Sequence, residues 1–221
     1  MQSYNNIGLS NKRLAFLTSE STKRRYNKYV YFYAVINAAI FASGEGTNAQ
    51  NLITYFKNDT RIKIKLVITN RDDSGVIKKA EDHKKTVQII SKEALNNYTD
   101  QIIEFLRGEK IDLIILAGFL LKIPEKLVRA FPDKIINIHP SLLPKHGGKG
   151  MYGMNVHNAV FANKESESGI TIHFVNEEYD KGRIILQAKC AVTSTDTAET
   201  LAAKIHQLEY DYFPKAIEKL L

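Results

Sequence analysis

Three polar residues of this 221-residue chain could together carry chemistry: Asn137, His139 and Asp180. The first two lie in Ile135-Ile136-Asn137-Ile138-His139, a β-branched run that reads as a buried strand. Residues two apart on a strand share a face, so the amide and the imidazole leave the same side at its carboxyl end, before Pro140 and Pro144 break the backbone. In an open α/β sheet that end is where ligands bind. Asp180 sits in an acidic turn, Asn176 to Gly182. An amide donor, an imidazole and a carboxylate are what acyl transfer to an amine requires. The oxyanion of a tetrahedral intermediate needs donors, the amine must shed a proton, and an acid can hold the imidazole charged until that proton is needed. Ser141, between Pro140 and Leu142, lacks the flanking glycines of a nucleophile elbow, which disfavours a covalent intermediate. His139 and His157 lack metal-ligand spacing and no carboxylate cluster joins them, so no metal is expected. On Asn137 and His139 alone, a turn cap and a satisfied core imidazole would serve as well.

A second stretch suggests a ligand. Ala34 to Ala42 reads as a first strand, followed by Ser43-Gly44-Glu45-Gly46-Thr47-Asn48-Ala49-Gln50 and a helix through about Phe56. Strand, glycine turn and helix present backbone N–H groups and the positive end of a helix to an anion. Gly44, Gly46 and Ala49 loosely fit the dinucleotide-binding pattern. That pattern wants an acid at the end of the second strand, and the strand Ile62 to Thr69 ends in Asn70-Arg71. Thr47 and Asn48 instead add side-chain donors suited to a phosphate monoester. Two further loops follow strands: apolar Gly118 to Pro124, where a flat aromatic ligand could lie or the core could close, and glycine-rich Lys145 to Gly153, placed to cover a ligand.

These residues need a scaffold, and the pattern supplies one. Helices are expected over Val76–Lys84, Tyr98–Arg107, Pro124–Ala130 and His157–Ala162, and from Thr197 onward with Thr195 or Asp196 as cap. Strands are expected over Thr86–Ile90, Ile111–Ala117, Gly169–Val175 and Ile184–Val192. The alternation argues for a single α/β domain over 34–221, built on a mostly parallel, doubly wound, Rossmann-like sheet whose end can turn antiparallel. Of the formal charge of +7, +5 lies in residues 1–33, so the domain itself carries little net charge and nucleic acid is not an expected partner. Residues 1–33 read as a flexible basic extension, dispensable for activity. The apolar run Tyr29 to Ala42 is interrupted by Asn37 and too short to span a bilayer, so no membrane segment is expected. With Cys190 the single cysteine, the chain suits a reducing, cytoplasmic compartment.

Together, Ser43-Gly44-Glu45-Gly46-Thr47-Asn48, Leu116-Ala117-Gly118-Phe119, Asn137-Ile138-His139-Pro140-Ser141-Leu142-Leu143-Pro144-Lys145, Gly169 to Val175 and Tyr179-Asp180-Lys181-Gly182 resemble the phosphoribosylglycinamide formyltransferases, folate-dependent enzymes of purine synthesis. The resemblance covers about residues 35 to 217. It implies the formyltransferase fold and attack of the glycinamide amine of phosphoribosylglycinamide (GAR) on the formyl carbon of 10-formyltetrahydrofolate. His139 and Asn137 would stabilise the oxyanion, and Asp180 would keep His139 charged and help relay the proton. Gly46, Thr47 and Asn48 would hold the ribose 5-phosphate. Glu209, by itself an ordinary helix carboxylate, would match the family's carboxylate on the ribose hydroxyls. Leu120, Leu121, Lys122 and Ile123, with Asn137, would flank the pterin, and Lys92 stands where an upstream basic residue contacts folate. The partners implied are small molecules, for a monomer or homodimer. Two departures stand out: Leu121 replaces a basic residue frequent in the family, with Lys122 one place later, and the loop after Lys145 is longer and richer in glycine. Formyltetrahydrofolate hydrolases resemble this family but carry a folded regulatory domain in front, which about 33 residues cannot form. Methionyl-tRNA formyltransferases carry a further C-terminal domain. A nucleotide-binding module without chemistry at His139 is the rival from another class.

Overall fold

Along the strand Ile36–Phe41 (β1) successive side chains enter two different cores. Ala38 and Ile40 pack into one, Ala39 and Phe41 into the other. Side chains of a strand alternate faces, so a continuous apolar run is what a sheet covered on both sides requires. The computed structural model describes residues 34–221, and the flexible extension expected over 1–33 lies outside the described residues.

In chain order the elements are β1, α1 (Thr47–Tyr55), β2 (Ile62–Thr69), α2 (Gly75–Asp82), β3 (Thr86–Ile89), α3 (Lys92–Asn97), α4 (Thr99–Gly108) and β4 (Leu113–Leu116). They continue with α5 (Glu125–Ala130), β5 (Ile135–His139), α6 (Met154–Ala162), β6 (Glu167–Phe174), β7 (Ile184–Ala191) and α7 (Ala198–Glu218). The seven strands form one sheet in the order β3-β2-β1-β4-β5-β6-β7. The first five run parallel; β6 pairs antiparallel with β5 and β7 antiparallel with β6, as the sequence left room for. Residues of α1, α2, α6 and α7 cover one face, and residues of α3, α4 and α5 the other. Burial of this kind is costly to undo: truncating fully buried Phe41 to alanine would destabilise the domain by about 3–5 kcal/mol.

The chain winds outward from β1 to β2 and β3 on one side, then returns to add β4 and β5 on the other, so the order reverses between β1 and β4. Ligands of open α/β sheets bind in the crevice at such a reversal, beyond the strands' carboxyl ends. Three local expectations differ from the structure. The six-residue α3 was not expected, being too short for an apolar period; its signal is Ser91, whose hydroxyl accepts from Ala94 N–H at 3.0 Å. Helix α6 begins at Met154 rather than His157. The cap of α7 is Thr197, in a reciprocal capping box with Thr200, not Thr195 or Asp196. Asp196 is taken by the backbone N–H of Thr193 at 2.8 Å and by Lys204 Nζ at 2.6 Å.

Candidate active site

Asn137 and His139 leave β5 on the same face as Ile135, a member of the α3–α5 core, but beyond the reach of that core's helices. The antiparallel register of β6 sets His173 directly opposite Asn137 and Thr171 opposite His139. His173 Nδ1 lies 2.9 Å from the carbonyl of Phe174, which can only accept, so Nδ1 carries the proton and Nε2 is left as an acceptor. Burial pushes the His173 imidazole below its ordinary pKa, with the Phe174 contact and the Asp180 charge opposing. A neutral His173 then accepts from Asn137 Nδ2 at 3.2 Å, which fixes the amide's orientation.

His139 is buried, and its Nε2 lies 2.9 Å from the carbonyl of His146, so Nε2 is a donor and Nδ1 is the nitrogen turned to Asp180. The Nδ1–Oδ2 separation is 3.7 Å, as is that from His173 Nε2 to Asp180 Oδ1. The carboxylate thus sits against both rings without a direct hydrogen bond to either. Asp180 reaches this place because the β6–β7 connection doubles back on itself. Phe174 N–H bonds the Arg183 carbonyl at 2.9 Å, and Gly182 passes so close to Phe174 that an added Cβ would stand 1.6 Å from its carbonyl oxygen. Gly148 N–H donates to Asp180 Oδ2 at 2.8 Å, which ties down the oxygen that faces His139. The segment after His139 is held by Thr171, whose hydroxyl donates to the Ser141 carbonyl at 2.7 Å and accepts from Leu143 N–H at 3.0 Å. Ser141 itself is buried and donates to the Lys145 carbonyl at 2.6 Å, a structural place that accords with its exclusion as a nucleophile.

The glycine turn lies across the sheet reversal. Gly46 caps α1 with φ +72°, and a Cβ there would stand 2.5 Å from Val76 Cβ and 2.7 Å from Val76 Cα. The position therefore needs glycine both for its left-handed backbone and for the approach of α2. No side chain caps α1, so the first-turn N–H groups remain for an anion. Ser43 links this turn to the next strand end: its hydroxyl donates to Asn70 Oδ1 at 2.5 Å and accepts from Leu120 N–H at 2.9 Å. Asn70, where a dinucleotide fold would place an acid, is thereby occupied with structure.

Asn48 Nδ2 donates to Glu209 Oε2 at 2.7 Å, joining residues 161 apart in the chain. The same oxygen meets His206 Nδ1 at 3.2 Å, and this carboxylate contact raises the His206 pKa against the effect of burial. His157 stands near; burial lowers its pKa, with the Glu209 charge opposing. Neither His157 nor His206 was expected here. His206 was legible only as the residue one turn before Glu209 on a shared helix face.

One cleft of about 1050 Å³ connects these groups. Thr47, Asn48 and Glu209 line it, together with Asn137, His139, His173 and Asp180 and with Leu120, Leu121, Lys122, Ile123 and Lys92. The expected residues are thus brought together, apart from Gly46, which supports the turn behind Thr47. The apolar loop divides: Phe119 and Ile123 are buried in the core, whereas Leu120 is exposed and Leu121 half-buried. Lys122 lies 5.5 Å from the ring centre of Tyr179.

A two-sided α/β sheet with an amide, two imidazoles and a carboxylate gathered at β5 and β6 matches a known class, and the formyl transferase family profile covers residues 36–217. The chain belongs to the formyl transferase family. It is similar to the chloroplastic phosphoribosylglycinamide formyltransferase of Vigna unguiculata, 39% identical over 186 residues, which are 82% of this chain and 60% of that protein. It is 36% identical to the phosphoribosylglycinamide formyltransferase of Bacillus subtilis over 83% of this chain and 93% of the relative. Among solved structures, glycinamide ribonucleotide transformylase 1 of Geobacillus kaustophilus superposes with a TM-score of 0.78 at 31% identity, covering 85% of this chain and all of that one. The chain thus spans about three fifths of the plant relative's length and nearly all of the bacterial relative's.

Proposed function

We propose that this protein transfers the formyl group of 10-formyltetrahydrofolate to the amine of GAR in purine biosynthesis. The observation that carries this reading is the single cleft that joins an anion-ready helix N-terminus to the Asn137, His139 and Asp180 group and continues to an apolar loop. The phosphate of GAR fits the first turn of α1 with Thr47 and Asn48, Glu209 accepts from the ribose hydroxyls, and the amine arrives beside Asn137, His139 and Asp180. The pterin lies against Leu120 and Leu121, with Lys122 and Lys92 at the charged end of the folate.

The amine nitrogen forms a bond to the formyl carbon and the carbonyl electrons move to oxygen. Asn137, its amide orientation set by neutral His173, and His139 donate to that oxyanion. One donor of this kind is commonly worth about 100- to 1000-fold in rate. The carbonyl re-forms as the bond to folate N10 breaks, and the proton shed by the amine is relayed past His139 and Asp180 to the leaving nitrogen. Every step is supplied by protein side chains, and this reading calls for no metal. A hydrolase would hold only water where GAR sits; the uncapped α1 turn at that end favours a phosphate-bearing acceptor.

The test follows folate absorbance on mixing the protein with 10-formyltetrahydrofolate, with and without GAR. Formyl loss that depends on GAR is expected, and equal loss without it would identify a hydrolase. His139→Ala and Asp180→Asn should each lower kcat by about 1000-fold or more. Among the described residues no helix is long and apolar enough to cross a membrane. The proposed reaction suits the cytoplasm and a monomer or homodimer, and removal of residues 1–33 should leave kcat and KM unchanged.

A further inference from the structure

We infer that the side-chain pair of His146 and Glu165 is a positioning device for His139, acting through the backbone carbonyl of His146. This inference rests on the formyl-transfer reading for its consequence in rate, but its geometry stands on its own. The carbonyl of His146 is the acceptor that fixes His139 Nε2 as a donor, at 2.9 Å, and thereby turns Nδ1 toward Asp180. His146 occupies the left-handed region, φ +53°, which is uncommon for a residue with a side chain. Contacts on both sides of it help to hold this backbone. On the near side, Ser141 Oγ donates to the Lys145 carbonyl at 2.6 Å. On the far side Gly147 lies against Leu143 and Asp180, and Gly148 N–H donates to Asp180 Oδ2 at 2.8 Å.

Ser141 Oγ also approaches the His146 carbonyl at 3.5 Å, and between these contacts the His146 ring is a further anchor. It is nearly buried, with Nε2 3.3 Å from Glu165 Oε1. Glu165 is in turn fixed to the core: its N–H bonds the carbonyl of Val160, a fully packed α6 residue, at 3.1 Å. A chain of contacts therefore runs from the α6 core through Glu165 and the His146 ring to the carbonyl on His139. Two residues later, Gly148 N–H holds Asp180. Release of the ring would loosen both His139 and Asp180 while leaving the phosphate turn, on the opposite side of the cleft, untouched.

Glu165→Gln and His146→Gln are the test variants, and either one reads the pair should the other fold poorly. Each should lower kcat by about 10- to 100-fold with the KM for GAR changed by less than about threefold. The double variant should be no slower than the slower single one, because both break the same contact. Lys145→Met removes the other partner of Glu165, a mostly exposed ammonium at 2.8 Å, and should leave kcat within about twofold. Ring nitrogen NMR of His139 supplies a reading that needs no turnover: the Nε2 proton should be protected from solvent exchange in the parent and exchange at least about tenfold faster in both variants. A parent that does not use GAR, with the exchange difference present, would sink the functional reading and leave the positioning intact. Unchanged exchange, multiplied losses in the double variant, or a rise in KM matching the fall in kcat would overturn the positioning role.

Discussion

The proposed phosphate and folate ends of the cleft are built in opposite ways. Where the phosphate is proposed to sit, the groups lie on or beside helices and are locked: Gly46 against Val76, Asn48 buried and bonded to Glu209, Glu209 bonded in turn to His206. Where the folate is proposed to sit, they lie on loops and are open: Leu120 is 51% exposed and Tyr152 50%, and Lys122 meets Glu125 at 3.9 Å and the Tyr179 ring. A small dianion is recognised by backbone amides in a set geometry, which leaves little room for variation. A broad apolar ring is recognised by contact area, which many side chains can supply. This is why the chain keeps the family's Ser-Gly-x-Gly-Thr-Asn turn intact while carrying leucine at 121 and a longer glycine loop over 146–153.

The comparison can be broken by substitution at each end. The largest effect is expected at Gly46→Ala, where the added methyl meets Val76: the KM for GAR should rise by about 100-fold or more, with little change in the KM for folate. Equal rises in both would mean that the two ends are not independent. A smaller effect concerns pH. Because Glu209 raises the His206 pKa, its positive charge persists above the ordinary imidazole value of about 6.5 and is lost as pH climbs through the raised value. Phosphate binding gains from that charge below the titration and loses it above, so the KM for GAR should rise on the alkaline side. In His206→Gln that limb should flatten, and an unchanged KM profile would remove His206 from the anion site. The smallest effect is expected at Leu120→Ala, where half the side chain already faces solvent: a rise of about threefold in the KM for folate and none in that for GAR, measured from initial rates at fixed cosubstrate.

The middle of the cleft was legible in the sequence to different depths. Asn137 and His139 share a face because strand periodicity is local, and the sequence placed them correctly without a partner strand. Asp180 could be linked to them only through the family resemblance, since the spacing of 41 residues says nothing about proximity. His173 was legible only as part of the strand Gly169 to Val175, yet the β5–β6 register makes it the group that orients Asn137. His146 was read as part of a mobile loop because its function lies in its backbone carbonyl, which leaves no mark in side-chain chemistry.

By itself, the sequence determined the parallel core strands, the glycine turn before α1 and the shared face of the amide and imidazole. Each follows from side-chain periodicity or backbone sterics within about ten residues. Tertiary structure alone decided that Glu209 meets Asn48 from 161 residues away, that neutral His173 stands opposite Asn137, and that a loop carbonyl turns His139 toward Asp180. Those pairings depend on antiparallel register and on helices packing across the sheet reversal, where burial of distant segments outweighs local preference.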